Sequence, residues 1–289
     1  MTPCEPNICE PHARPVDAAL SLLVERTTAE SFEAESRVPG VEVHADPDST
    51  WIVHPGSVWR NAAIMLRFSE ADAAKRLDSM IARYRRHGRG MGLWVSPSAK
   101  PANLPAFLRA RRFRCRKYYP AMVRVLLEPA ERLKVPEALV IKQVRDVTDF
   151  EATSHPAIGP ATTPLRRAAL SRLQALAVTG SRIVPFVAYL EGQPVGASEL
   201  FLGKRKSAGL VGLSVLERYR RRGIGAALVE HVCREAASRG ATTMSLIATS
   251  EGEPLYAQRG FTEVARFGYW YRSFQRAQCR EDSLWMTCR

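Results

Sequence analysis

Three consecutive arginines, Arg220, Arg221 and Arg222, run directly into Gly223, Ile224, Gly225 and Ala226. An apolar run at 208–216 leads into this turn, and a helical pattern leaves it. The first N–H groups of a helix have no intrahelical acceptor and carry partial positive charge, which suits a phosphate or pyrophosphate. Gly223 and Gly225 let a ligand come close to the backbone, and the arginines add charge beside it. These residues offer anion binding at a helix start. Elsewhere the chemistry is thinner. No Ser-His-Asp arrangement is legible, and His155 and His231 lack any motif context, so both read as structural. The six cysteines, at 4, 9, 115, 233, 279 and 288, include no C-x-x-C pair and read as free thiols. Cys4, Cys9 and His12 fit no zinc spacing and lack a fourth ligand, so no metal is expected. Cys233 sits on the helix after the turn and reads as a small packing residue.

The elements that must hold the turn follow from periodicity and caps. A helix begins at Asp17, with Leu20, Leu23 and Val24 on its apolar side. Strands are expected at 51–53 and 63–68. Ser69 with Asp72 opens a helix striped by Leu77, Met80, Ile81 and Tyr84 and ended by Gly88. A strand at 91–96, a short helix at 103–111 and a strand at 119–127 follow. A polar break flanked by Pro129 and Pro136 reads as a linker at 129–136. Beyond it come a strand at 139–144, a helix capped by Thr163 and ended by Gly180, and a three-stranded meander at 184–190, 195–202 and 208–216. A helix at 225–239, a strand at 243–248, a short helix at 253–259 and a closing strand at 261–271 complete the pattern. The aromatics of that last strand could pack in the core, wall an acceptor site or form a dimerising edge.

The 289 residues suffice for two domains, and an apolar fraction of 46% suffices for packed cores. No apolar run approaches the roughly 18 residues that span a bilayer, and residues 1–11 have neither the basic nor the apolar region of a secretory signal. A cytoplasmic location and no membrane partner are expected. The formal net charge is +13, concentrated at 83–89, 109–117 and 220–222. Solvated helix faces plus one anion site account for it; a nucleic-acid surface, with Tyr118 and Tyr119 beside one run, is the second reading.

The R-x-x-G-x-G sequence at 220–225, the E-G-Q-P-V-G-A turn before it and L-Y-A-Q-R-G-F at 255–261 together resemble the GCN5-related N-acetyltransferase (GNAT) family over about 137–275. The resemblance implies an α/β (α+β) fold, a mixed and mostly antiparallel sheet flanked by helices. It implies acetyl-CoA as co-substrate and an amine acceptor, either a small molecule or a protein. The backbone at Leu213, Ser214 and Val215 would meet the thioester arm, and residues from Arg220 to Ala226 would hold the pyrophosphate. Tyr256 would be the general acid, since a phenol is protonated at neutral pH. Many relatives carry a glutamate on the strand at 208–216, but this chain has none there. Glu199 on the preceding strand is the nearest base candidate, and Glu251 or Glu253 could line the pocket. A weak echo pairs G-L-W-V-S-P-S and F-L-R-A-R-R-F with M-S-L-I-A-T-S and L-Y-A-Q-R-G-F. Residues 1–128 are therefore read as a degenerate GNAT-like domain without the loop, with Leu108 in place of Tyr256, and 137–289 as the catalytic domain. The competing readings are a non-catalytic acyl-CoA-binding module and an RNA- or ribosome-associated acetyltransferase; an oligomer is compatible with all of them.

Overall fold

In the computed structural model, residues 16–54, 61–88, 90–126, 135–144 and 181–274 are described. The first half runs α1 (Ala18–Glu33), β1 (Glu42–Asp46), β2 (Ser49–Val53), β3 (Ala62–Ile64), α2 (Ala73–Arg86), β4 (Met91–Val95), α3 (Leu104–Ala110) and β5 (Arg114–Val125). The second half runs β6 (Leu139–Gln143), β7 (Ile183–Leu190), β8 (Gln193–Leu202), β9 (Ser207–Val215), α4 (Ile224–Ser238), β10 (Thr243–Ile247), α5 (Glu253–Gln258) and β11 (Thr262–Arg272). The helix expected from Thr163 to Gly180, and Cys4, Cys9 and His12, lie outside the described residues.

Apolar residues give most strands a face to bury, and the described strands share one sheet in the order β1-β2-β3-β4-β11-β5-β10-β9-β8-β7-β6. Among the described strands only β3–β4 and β9–β10 pair in parallel. The sheet is mixed and mostly antiparallel, as the resemblance implies. Residue parity assigns its faces. Ala121, Val123 and Phe267 pack with Val24 and Phe32 of α1, whereas Met122 packs with Val229 and Val232 of α4. Trp270 packs with Leu77 of α2 and Leu108 of α3. Thus α2, α3, α4 and α5 cover one face and α1 covers the other. Asp17 caps α1 through a 2.9 Å bond from the Leu20 N–H, and its own N–H donates to Val264 O, which ties the helix start to β11.

The two halves follow one plan: β1, β2, β3, α2, β4, α3, β5 against β7, β8, β9, α4, β10, α5, β11. The short helices end alike. Phe113 N–H donates to Leu108 O and Phe261 N–H to Tyr256 O, both at 3.0 Å, with Arg112 and Gly260 at positive φ. Each half lends its last strand to the other. β11 lies between β4 and β5, and β5 lies between β10 and β11. From Gly268 to Tyr271 both edges of β11 are filled within the chain, so this stretch is no dimerising edge; Phe267, Tyr269 and Trp270 are core. A buried ion pair, Arg124 of β5 with Glu230 of α4 at 2.8 Å, fastens the exchange.

Two expectations need local correction. The strand expected at 63–68 stops at Ile64, because Met65 turns to φ 58° and Leu66 and Phe68 then pair with Lys100 instead. The strand expected from 119 begins at Arg114, where the register of β11 extends it through a basic segment with no apolar alternation.

Candidate active site

The parallel pair β9–β10 is short. Ser207, Ala208 and Gly209 face Thr243, Met244 and Ser245, and the ladder ends there. The cause lies on the other edge of β9. Ala197 faces Ser214 and Glu199 faces Val211, so β9 carries an extra residue opposite Ser198. Gly212 sits in that bulge at φ 64°, a conformation an L side chain adopts only at a cost. A bulge bends and twists its strand, and here it turns β9 away from β10. Among the described residues, the edge of β9 toward β10 has no ladder partner from Leu210 to Val215. The Ser214 hydroxyl, buried in this stretch, also has no hydrogen-bond partner among the described residues.

Past Val215 the chain makes a single helical turn, Glu217–Tyr219. The Arg220 Nε–H donates to Val215 O at 3.2 Å, and the guanidiniums of Arg218 and Arg222 stand 5.1 and 5.5 Å from the Tyr219 ring centre. Tyr219 thus holds two charges in place without neutralising them. Arg221 at φ 62° and Gly223 at φ 81° curl the backbone into the start of α4. The N–H groups from Arg221 to Ala226 find no backbone acceptor among the described residues. Such a row of inward N–H groups at a helix start is an anion cradle. The equivalent start of α2 is filled and negative: the Asp72 N–H donates to Ser69 Oγ, and Glu70 and Asp72 flank it.

α5 is pressed against this cradle. A Cβ on Gly225 would lie 3.3 Å from Leu255 Cδ2 and 3.8 Å from Val215 Cγ2, so glycine lets the three elements converge. The next residue, Tyr256, is 8% exposed, with its ring 5.7 Å from Phe261 and its edge against Gly252. Its hydroxyl has no hydrogen-bond partner among the described residues, and burial pushes its pKa well above the ordinary phenol range.

The Acetyltransferase (GNAT) family model matches residues 147–261. Over this part the chain is similar to the GNAT acetyltransferase family. Solved structures extend the likeness of fold to both halves. A GCN5-related N-acetyltransferase from Kribbella flavida has a TM-score of 0.62 at 15% identity, covering 85% of this chain and 95% of its own. One from Sphaerobacter thermophilus has 0.56 at 16%, covering 91% and 96%. A tandem GNAT protein from the clavulanic acid biosynthesis pathway has 0.56 at 14%, covering 90% and 95%. No curated protein matches the sequence.

The structure brings together Leu213, Ser214, Val215 and the run from Arg220 to Ala226, with Tyr256 joined to them through Leu255. Glu199 is placed elsewhere. Gly196 and Leu200 of β8 face α4, so strand alternation sends Glu199, like Phe201, to the opposite face. Glu251 is exposed, and Glu253 is tied to Arg266 at 3.5 Å. His231 packs edge-on against Phe186 at 4.9 Å, and burial lowers its pKa. Cys233 is buried in the core beneath α4. Gly212, Arg218 and Tyr219 escaped the sequence reading. A tyrosine with arginines one before and three after was the available signal for the last two.

Proposed function

We propose that the second half transfers an acetyl group from acetyl-CoA to a primary amine by direct attack within a ternary complex. The observation that carries this reading is the continuity of the open β9 edge with the unpaired N–H row at the start of α4. A chain of amides ending in a pyrophosphate would satisfy both at once: the amides along Leu213–Val215, the pyrophosphate on Arg221–Ala226 with the arginine side chains around it. The amine, in its neutral form, adds to the thioester carbon. The C–N bond forms, the C–S bond breaks, and the Tyr256 hydroxyl gives its proton to the departing thiolate. Its raised pKa keeps that proton available at neutral pH. The amine loses its own proton on the far side of the gap, to water or to Glu199. The first half, with its own gap closed, would be a degenerate copy that lends β5 and shapes the site.

The test is thiol release from acetyl-CoA over a diverse amine panel, with Arg222→Ala and Tyr256→Phe as controls. Acceptor-dependent release that both substitutions reduce is expected. A clear acetyl-CoA thermal shift without release on any amine would instead mark a binding module.

A further inference from the structure

The cations of this chain sort into two kinds. Arg67, Arg76, Arg83, Arg111, Arg124 and Arg266 each reach a carboxylate. Arg85, Arg109, Arg112, Arg114, Arg116 and Lys117 are exposed, and none has a carboxylate partner among the described residues. These six converge. Met91 faces Arg272 and Arg114 faces Tyr271, so the end of α2, the end of α3, the start of β5 and the end of β11 share one end of the sheet. β9 and β10 finish toward the same end. Ile247 faces Ala121, and β5 continues from there to Arg114, about 23 Å farther at strand rise.

Aromatic rings, not carboxylates, hold several of these charges. Arg109 lies 5.4 Å from the Trp270 ring centre and Arg116 lies 5.7 Å from that of Tyr271. Arg85 and Arg272 lie 5.8 and 5.1 Å from Phe274. A guanidinium kept on a ring is ordered but not neutralised. Burial, with Arg85 and Arg112 close by, holds the Arg272 pKa below its ordinary range. Arg112 adds an independent sign. It occupies φ 61° where the second half has Gly260 at φ 77°, a placement that costs an arginine about 1 kcal/mol or more. A cation kept where glycine would be relaxed points to use of the side chain. The other second-half counterparts, Ala257, Thr262 and Val264, are uncharged, so the fold itself does not call for this charge.

We propose that this end of the first half is a docking surface for single-stranded nucleic acid, with phosphates on the unpaired cations and bases stacked on Tyr271, Phe274 and the guanidinium planes. Charge without rings would suit any polyanion; interleaved rings suit unpaired bases. The surface is separate from the acetyl-CoA cradle, and its test needs no acetyl-CoA.

The test is fluorescence anisotropy of the full chain with labelled oligonucleotides of about 16 residues, uridine RNA in one arm and thymidine DNA in the other. Titrations span about 50–200 mM salt. The triple substitution Arg112→Gln/Arg114→Gln/Lys117→Gln should weaken binding at least about tenfold and reduce the slope of log K against log salt by about 2, at roughly 0.7 per lost phosphate contact. Phe274→Ala should weaken binding about tenfold, the scale of one lost stack. Arg221→Gln/Arg222→Gln should leave the titration unchanged. An unaltered melting temperature of the triple variant shows that it is folded. The stronger of the two arms identifies the nucleic acid. Absence of binding at low salt would overturn the proposal, as would loss of binding in the loop variant but not in the triple. Equal competition by polyglutamate, with Phe274→Ala silent, would make the surface one for acidic protein and overturn it too.

Discussion

Removing the hydroxyl of Tyr256 tests the chemistry with little disturbance to the fold. The ring is 8% exposed and wedged between Phe261 and Gly252, so Tyr256→Phe keeps the packing. The hydroxyl has no hydrogen-bond partner among the described residues, so its loss breaks no bond, and folding stability should change by no more than about 0.5 kcal/mol. Under the proposed function donor binding rests on the β9 edge and the cradle, so acetyl-CoA affinity should stay within about twofold. Turnover carries the effect. A positioned acid supplies about 10²–10⁴ in rate, so kcat should fall by that factor, about 3–5 kcal/mol of barrier. The pH profile adds a sign. Burial raises the Tyr256 pKa, so the acid form persists through pH 10, and no alkaline fall in the wild-type rate below that pH should originate here. Steady-state thiol release, calorimetric titration of acetyl-CoA and a melting curve give the three readouts. A kcat within about threefold of wild type would refute the assignment, since a positioned acid is expected to contribute far more. Unchanged turnover with weakened acetyl-CoA binding would make Tyr256 a packing residue of the donor site.

Other perturbations test the frame. Arg124→Met leaves Glu230, 5% exposed at its side chain, as an unpaired buried carboxylate and should cost about 3–5 kcal/mol by urea melting, while Arg124→Met/Glu230→Met should recover most of it. A single-variant loss below about 1 kcal/mol would show that the pair does not fasten the strand exchange. Burial alone would raise the Asp46 pKa, but bonds from Arg76, His44 and the N–H groups of Asp48 and Ser49 bring it from 3.8 to about 2. That stability is present above pH 3.8 and lost as pH falls through about 2; Arg76→Met should flatten the melting temperature over that window. Burial pushes the Cys233 thiol up to about 12, with Arg124 opposing and Glu230 adding, so mapping of alkylated cysteines by mass spectrometry at pH 8 should find Cys233 unmodified until denaturant is added.

The second half was legible because each element there carries its own local signal. The meander alternates, Gly240 stops α4, and the G-x-G start needs no distant partner to be recognised. β1, reading E-V-H-A-D, and the first residues of β5, reading R-C-R-K, form strands only because β2 and β11 pair with them; their polarity hid them. The exchange of last strands was hidden for the same reason, since alternation states that a strand exists and not beside which neighbour. One trace of it was present. Tyr269 and Tyr271, two apart on β11, lie over Gly92 and Gly90, two apart at the start of β4, and a Cβ on either glycine would collide with the ring above it. Strand order placed Glu199 on the neighbouring strand but not on a face. Counting parity from Leu200, which faces α4, puts Glu199 on the other side.

The two halves handle one topological defect in opposite ways. A parallel pair that diverges leaves backbone N–H and C=O groups without partners, and buried groups of that kind are costly. In the first half β3 and β4 separate after Ala63 and Leu93, and the chain closes the breach itself. Lys100 donates to Leu66 O and accepts from the Phe68 N–H, while Arg67 is fixed by the buried Glu25 carboxylate, with Ser96 and Ser98 bonded to the same group. Ser69 and Asp72 then occupy the start of α2. In the second half, among the described residues, the breach between β9 and β10 keeps its edge, its buried Ser214 hydroxyl and its helix-start N–H groups open. Glycines stand at the three points where a side chain would obstruct or strain it: Gly212, Gly223 and Gly225. A fold that carries the means of closure in one copy and omits it in the other makes the open copy the one poised for an extended, anion-tipped ligand.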